Sequence, residues 1–127
     1  MNVPTDLKYT ESHEWVRTDP DGNLSVGITD HAQNALGDLV FIELPAVGRV
    51  LAPREASAVV ESVKAASDVY APVAGVVAAV NEGIVAAPEK VNADPYASWF
   101  YKLRPSDPAA LGTLLDAAAY SKLAGDE

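Results

Sequence analysis

A chain of 127 residues is long enough for one domain, and folding at this size buries roughly two-thirds of the unfolded surface. We therefore expect a single domain over residues 1–127. Nine Lys and Arg against eighteen Asp and Glu leave a formal charge of -9, which disfavours nucleic acid and anionic membranes and favours basic protein partners.

The chain also lacks several features of other protein classes. Its apolar runs are far shorter than the roughly 20 residues that span a bilayer, and its N-terminus has no targeting pattern. It contains no Cys, which excludes a disulfide framework and a thiolate metal site. We therefore expect a soluble, cytoplasmic protein.

The first predicted elements are two strands. Short β-branched runs at residues 13–17 and 24–28 flank Asp21-Gly22-Asn23, which is a strong turn signal. This pattern predicts an antiparallel pair of strands near the N-terminus.

A short helix is predicted next. Asp30 is a candidate N-cap, because Gln33 follows it three residues later as in a capping box. Gly37 is a typical C-terminal stop. Together these signals predict a helix over residues 30–36.

The middle of the chain continues the strand pattern. Its apolar runs are separated about every eight to twelve residues by Gly, Pro, Asp or Asn, which is typical of antiparallel sandwiches and barrels. The further predicted strands cover residues 39–44, 57–63, 67–71, 75–80 and 99–103. The sequence therefore predicts a mainly β fold.

A second helix is predicted near the C-terminus. Asp107 followed by Pro108 is a typical cap and first-turn pair, and an Ala- and Leu-rich segment continues to about Leu123. The apolar residues on one face of this segment are Leu111, Leu114, Leu115 and Ala118. We therefore expect one amphipathic helix over residues 108–123, packed across the sheet.

The common signatures of enzymes are missing from the sequence. It has no nucleophile elbow, phosphate-binding loop, dinucleotide-binding motif or zinc-protease motif. His13 and His31 lie on different predicted elements and lack the spacing of metal ligands. We therefore expect neither catalytic residues nor a metal site.

One lysine lies in an unusual setting. Lys64 is in the middle of residues 61–68, between two predicted strands, and its neighbours Ala65 and Ala66 are small. A lysine without special surroundings is protonated at neutral pH and is a poor nucleophile. The pattern therefore indicates a lysine presented at a hairpin tip, although it also fits an ordinary exposed lysine that blunts a turn or edge.

The segment around this lysine resembles the lipoylation site of glycine cleavage H proteins. The resemblance includes Glu61-Ser62-Val63-Lys64-Ala65-Ala66-Ser67-Asp68 and the following Tyr70-Ala71-Pro72-Val73-Ala74-Gly75. Further blocks that resemble the family, in the expected order, are residues 13–15, 26–32, 36–38 and 91–96. The resemblance implies a flattened barrel-sandwich hybrid of the biotinyl/lipoyl-carrier type.

The resemblance also implies a function. Lipoate amide-linked to Lys64 would carry the aminomethyl group from a PLP-dependent glycine decarboxylase (P protein) to a tetrahydrofolate-dependent aminomethyltransferase (T protein), and electrons to dihydrolipoyl dehydrogenase (L protein). Lipoate-attaching enzymes would be further partners. The residues expected to be recognised around the lysine are Glu61, Ser62, Val63, Ala65, Asp68 and Gly75. We expect a monomeric, non-catalytic protein of the bacterial cytoplasm.

The resemblance further suggests that the loaded arm folds back into a polar cleft. Ser12, Glu14, His31 and Asp68 are the residues expected to line it. A carboxylate beside a protonated amine is electrostatically favourable. Each of these side chains also fits a simpler role in capping a turn.

Two alternatives and one departure accompany this assignment. Biotin acceptors usually have Met on both sides of the lysine and dehydrogenase lipoyl domains have Asp before it, whereas Val63-Lys64-Ala65 matches neither. A lipoyl donor for other complexes would have the same sequence features. Residues 96–101 lack the Gly-Trp step usual in the family, which puts the loop before the last strand in doubt.

Overall fold

The computed structural model describes residues 2–125, which form two antiparallel sheets and several short helices. The strands are β1 Lys8–Tyr9, β2 Glu14–Thr18, β3 Leu24–Ile28, β4 Leu39–Glu43, β5 Val50–Leu51, β6 Ala56–Ser62, β7 Ala66–Tyr70, β8 Gly75–Val80 and β9 Tyr101–Pro105. The helices are α1 Asp30–Leu36, α2 Glu82–Ala86, α3 Glu89–Ala93, a 3-10 helix at Pro108–Thr113 and α4 Ala117–Ala124.

The two sheets differ in size and connectivity. The larger sheet has the order β1-β2-β3-β9-β8-β5, and the smaller has the order β4-β6-β7. Neither sheet closes into a barrel within residues 2–125. The arrangement confirms the predicted mainly β fold.

Two apolar clusters stabilise the fold. The main core includes Val26, Ile42, Val60 and Leu103, which come from both sheets and are almost completely buried. Each such side chain contributes about 1.5–3 kcal/mol on burial. The second cluster joins the two ends of the chain and consists of Leu7, Tyr9, Trp15, Ala117 and Tyr120.

All seven predicted strands occur in the structure. The predicted strands at residues 24–28 and 75–80 have the bounds of β3 and β8, and the others are shifted by one or two residues. The prediction missed β1 and β5, which have two residues each and are too short to show alternation. It also missed α2 and α3, which have five residues each.

The predicted helix over residues 30–36 is confirmed, but its predicted N-cap is wrong. Thr29 is the N-cap, because its Oγ1 accepts the Ala32 N–H at 3.2 Å. Asp30 instead accepts a hydrogen bond from the Gln33 side chain at 2.7 Å. Gly37 ends the helix with a positive φ of 84°, a conformation that glycine adopts without strain.

The single helix predicted over residues 108–123 is also wrong. The structure divides this segment into the 3-10 helix and α4, with a break at residues 114–116. Leu115 and Tyr9 exchange two backbone hydrogen bonds of 2.8 Å, and Asp116 starts α4 by accepting the Ala119 N–H at 2.8 Å. Pairing with β1 therefore overrides the helical periodicity of the segment.

The break also redistributes the residues that were expected on one face. Leu111 and Leu114 pack against the main core, whereas Leu115 packs against the second cluster and Ala118 is exposed. The predicted cap at Asp107 is confirmed, because its carboxylate accepts the Ala109 N–H at 3.0 Å. In the described part of the chain, no helix is long and apolar enough to cross a membrane.

Candidate functional site

The hairpin tip, defined as Val63, Lys64 and Ala65, connects β6 to β7. Ser62 shapes this turn, since its hydroxyl oxygen accepts the N–H groups of Lys64 at 3.2 Å and Ala65 at 3.0 Å. The Ser62 N–H also donates to the Ala65 carbonyl at 2.7 Å. A serine that bonds to nearby backbone in this way fixes a turn without a bulky side chain.

A second set of contacts supports the hairpin tip through the segment before β4. The Val63 N–H donates to the Asp38 carbonyl at 3.2 Å, which ties the tip to the segment before β4. Asn92 on α3 braces that same segment, because its side chain accepts the Leu39 N–H and donates to the Gly37 carbonyl, both at 2.9 Å. The tip is therefore held by backbone contacts on two sides.

Lys64 itself is exposed at this supported tip. A Cβ placed on Gly37 would lie 3.6 Å from Lys64 Cε, so the lysine stem passes beside that glycine. Ala65 and Ala66 are also exposed. None of the ion pairs found within residues 2–125 involves Lys64. An exposed amine that has small neighbours and no ion pair among the described residues suits formation of an amide with a carboxylic acid.

Most residues expected to be recognised around the lysine belong to this hairpin. Glu61, Val63, Ala65 and Asp68 are exposed, whereas Ser62 is buried beneath the tip. Gly75 lies elsewhere, at the start of β8 in the larger sheet.

Gly75 has a clear packing role in the larger sheet. A Cβ there would lie 2.4 Å from the Arg104 carbonyl oxygen and 2.9 Å from Leu103 Cγ. Close approach of β9 therefore accounts for a glycine at this position.

A buried carboxylate forms the second feature of interest, which we name the Glu14 clasp. Glu14 is only 1% exposed. Its Oε1 accepts hydrogen bonds from Thr10 and, at 2.6 Å, from Ser12, while its Oε2 accepts the Tyr70 N–H at 3.1 Å. Since Glu14 is on β2 and Tyr70 is on β7, the clasp links the two sheets.

Burial and the hydrogen bonds of the clasp have opposite effects on the pKa of Glu14. Burial raises the pKa of the Glu14 carboxyl above its ordinary value, and the hydrogen bonds that it accepts oppose this shift without cancelling it. The charged form is therefore costly to bury, although it is well supplied with donors.

The structure brings together only part of the cleft that the sequence predicts. Ser12 and Glu14 are in direct contact. Asp68 is exposed on β7, two residues before Tyr70, and outside the clasp hydrogen bonds. A cavity of about 420 Å³ lies beside the clasp, lined partly by Ser12 and Tyr70. Of the four predicted cleft residues, Glu14, His31 and Asp68 do not line this cavity.

His31 belongs instead to a histidine pair that the sequence did not predict. Its ring stacks on that of His13 with 4.5 Å between the ring centroids. Among residues 2–125, no group of three or more His, Cys, Asp or Glu side chains is placed to hold a metal ion.

Other residues of the site were also missed, and they lie far from their partners in sequence. The Tyr120 hydroxyl is 2.7 Å from both His13 Nδ1 and Thr29 Oγ1. These pairs are 107 and 91 residues apart, so no local pattern predicts them. Asn92 lies within residues 91–96, one of the blocks that resemble the family. That resemblance is the only sequence signal for its position.

The loop that departs from the family pattern is well organised without a glycine. The Ser98 hydroxyl donates to the Asp94 carbonyl at 2.8 Å and to the Lys90 carbonyl at 3.1 Å. The Trp15 indole N–H donates to the Pro95 carbonyl at 3.0 Å. These bonds give the loop a turn that is anchored by Ser98.

Two antiparallel sheets with a lysine at the end of a hairpin are the arrangement that the resemblance implies for a carrier domain of the biotinyl/lipoyl type. The sequence profile of the family "Glycine cleavage H-protein" matches residues 7–127. The chain therefore belongs to the glycine cleavage H-protein family.

Individual relatives agree with this assignment. The chain is 61% identical over 127 residues to the glycine cleavage system H protein of Thiobacillus denitrificans, covering 100% of this chain and 98% of that protein. It is 59% identical to the H protein of Nitrosomonas europaea with the same coverage. The crystal structure of a glycine cleavage system H protein from Mycobacterium marinum superposes with a TM-score of 0.89 at 42% identity, covering 97% of this chain and 99% of that chain.

Proposed function

We propose that the protein is the lipoyl carrier of a glycine cleavage system and that Lys64 Nζ is the attachment point. The observation that carries the proposal is the exposed Lys64 on a tip whose backbone is fixed by Ser62 and Asp38. When bound, lipoate supplies a redox-active pair of sulfur atoms for carrying an aminomethyl group and then electrons.

The design of the tip suits a carrier rather than a catalyst. Acylation replaces the Lys64 ammonium with a neutral amide, which lowers the cost of placing the side chain in a partner's apolar pocket. The small residues Ala65 and Ala66 leave room around the lysine for an approaching enzyme. A tether also gives each partner's site a high effective concentration of the carried group.

The proposed partners are the glycine decarboxylase, the aminomethyltransferase, dihydrolipoyl dehydrogenase and the enzymes that attach lipoate. A formal charge of -9 favours basic surfaces on each of them. Glu61 and Asp68 are exposed on the strands that carry the tip, so they are placed to meet such surfaces. We further propose that the protein acts as a monomer in the bacterial cytoplasm and has no catalytic activity of its own.

The Glu14 clasp is the proposed resting place for the amine of the loaded arm. Ser12 is exposed, lines the neighbouring cavity and donates to the Glu14 carboxylate. A protonated amine in the cavity would replace Ser12 as a charge-assisted donor to Glu14. Asp68 would add a second negative charge on the approach along β7.

The decisive experiment is intact mass with peptide mapping of the protein produced in its own host with lipoate available. We expect a lipoyl adduct confined to Lys64. Lys64→Arg keeps the charge at the tip but removes the attachment point, so it should abolish modification and glycine-dependent carrier activity. Its free energy of unfolding should change by less than about 0.5 kcal/mol, because the position is exposed.

An unmodified or biotinylated Lys64 under those conditions would overturn the proposal. A deletion strain then distinguishes the pathway. Loss of glycine-dependent growth alone supports glycine cleavage, whereas additional loss of 2-oxoacid oxidation would indicate that the protein passes lipoyl groups to other complexes.

A further inference from the structure

The C-terminal helix α4 contacts the turn that builds the Glu14 clasp through Tyr120, whose ring lies edge-on to the His13 ring with 5.6 Å between the centroids. Tyr120 is fully buried, and its hydroxyl lies 2.7 Å from His13 Nδ1 and 2.7 Å from Thr29 Oγ1. His13 directly precedes Glu14 in the chain. The end of the protein is thus joined to the clasp at the start of β2.

His13 has an unusual backbone conformation. Its φ of 72° is in the left-handed region, which residues other than glycine adopt only when their surroundings enforce it. The His13 N–H donates to the Thr10 carbonyl at 3.2 Å, and the His13 carbonyl accepts the Thr29 N–H at 3.1 Å. The left-handed residue therefore closes the turn at residues 10–13.

This turn supplies two of the donors to Glu14. Thr10 and Ser12 both donate to Glu14 Oε1, and Thr10 Oγ1 also accepts the Glu14 N–H at 3.0 Å. If the turn opened, both hydroxyl groups would move away from the buried carboxylate. The conformation of His13 thus controls whether the clasp is complete.

We propose that Tyr120 is a positioning residue that acts through His13 to hold the turn at residues 10–13 and so to complete the Glu14 clasp. The role of the clasp toward the loaded arm rests on the proposed function. The mechanical link from Tyr120 to the clasp does not depend on lipoate.

The neighbouring Tyr9 offers a matched control. Its ring stacks on Tyr120 with 4.7 Å between the centroids, and it is also fully buried. Its hydroxyl donates to the Pro4 carbonyl instead. Tyr9→Phe and Tyr120→Phe therefore remove the same group from the same stacked pair, but only the second removes the hydroxyl contacts with His13 and Thr29.

The test is amide hydrogen exchange by NMR on the full chain without lipoate. The Glu14 N–H and the Tyr70 N–H report on the clasp, and the Leu103 N–H in β9 serves as the core reference. Tyr120→Phe should raise the exchange rates of the two clasp amides about five- to tenfold relative to the reference, since it removes the hydrogen bond that holds the His13 side chain. Tyr9→Phe should change that ratio less than about twofold.

A second variant tests whether the link passes through His13. Glycine adopts a φ of 72° without strain, so His13→Gly should keep the turn closed without help from Tyr120. In the His13→Gly background, Tyr120→Phe should change clasp exchange by less than about twofold, which is a coupling that a double-mutant cycle detects.

Two results would overturn the proposal. Equal effects of Tyr120→Phe and Tyr9→Phe on the clasp amides would mean that Tyr120 only packs the second cluster. A full Tyr120→Phe effect in the His13→Gly background would mean that the route does not pass through His13. Because these measurements use unmodified protein, they stand even if Lys64 proves not to carry lipoate.

Discussion

The hairpin tip and the Glu14 clasp each contain a serine, but the two serine hydroxyl groups have opposite roles. Ser62 accepts backbone N–H groups and leaves the charged Lys64 in solvent. Ser12 donates its hydroxyl to a carboxylate that is almost completely buried. In one region a serine organises the backbone around a charge, and in the other it compensates the charge itself.

This difference between an exposed and a buried charge indicates which substitutions should affect function alone and which should also affect folding stability. A charge in water needs no partner, so the tip can be altered chemically with little effect on folding. A buried charge depends on every donor around it, so the clasp contributes to folding and to the site at once. Substitutions in the two regions should therefore give different ratios of functional loss to stability loss.

The largest stability effect should come from Glu14→Gln. The amide oxygen can still accept from Thr10 and Ser12, but the amide NH₂ then faces the Tyr70 N–H, which is left without an acceptor. We expect the free energy of unfolding to fall by about 2–3 kcal/mol, measured by denaturant titration. A change below about 0.5 kcal/mol would contradict the assignment of the clasp as a link between the sheets.

The same variant tests the pKa of Glu14. Because burial raises the pKa of this carboxyl in the folded protein, its favourable contribution is complete below the ordinary carboxyl pKa of about 4.3 and is lost as pH rises through the folded pKa. The stability difference between the wild type and Glu14→Gln should thus be larger at pH 4 than at pH 7. An equal difference at both values would mean that the pKa of Glu14 is not raised.

Asn92→Ala should lower the free energy of unfolding less than Glu14→Gln does. It should also have a clear effect on the hairpin tip. It removes the acceptor of the Leu39 N–H and the donor to the Gly37 carbonyl, at a cost of about 1–2 kcal/mol. Lipoate attachment to Lys64, followed by mass spectrometry, should also slow.

Asn81→Ala is the matched control for this prediction. Asn81 caps α2 and donates to the Trp99 carbonyl at 2.8 Å, with no contact to the tip. It should lower stability by a similar amount while leaving the attachment rate unchanged. Equal slowing by both variants would show that the rate only follows global stability.

A stability effect smaller than that of Asn92→Ala is expected from Ser62→Ala. It removes the hydroxyl that accepts from Lys64 and Ala65, and we expect a loss of about 1 kcal/mol together with slower attachment of lipoate to a looser tip. Ser67→Ala on the same hairpin is the control, because its hydroxyl makes only a 3.4 Å contact with the Asp68 carbonyl. If lipoate is attached to both variants at the wild-type rate, the Ser62 hydroxyl does not organise the tip.

The sequence predicted the features that depend on local signals. Alternation and turn residues located β3 and β8 with their observed bounds, Gly37 ended α1, and the small residues after Lys64 indicated a hairpin tip. Each of these depends on residues within a few positions of one another. The placement of Lys64 at a tip followed from the pattern alone, whereas lipoate entered only through the family resemblance.

What the sequence could not predict depends on contacts between distant segments. Leu115 fitted a helical face, but its backbone pairs with Tyr9, and no local signal identifies that partner. The carboxylate of Glu14 was expected to line a polar cleft, but it is buried and accepts the Tyr70 N–H from the opposite sheet. The stacking of His13 on His31 likewise arises only when β2 and α1 are brought together.

The bond from Tyr70 to Glu14 also occupies a backbone N–H group at the edge of the smaller sheet. The strand β7 is an outer strand of the smaller sheet, and an outer strand with free N–H groups is a template to which another chain can add. The modification proposed at Lys64 requires that no helix or loop cover this hairpin. By occupying the Tyr70 N–H with a carboxylate from the other sheet, the protein closes part of this edge while Lys64 stays exposed.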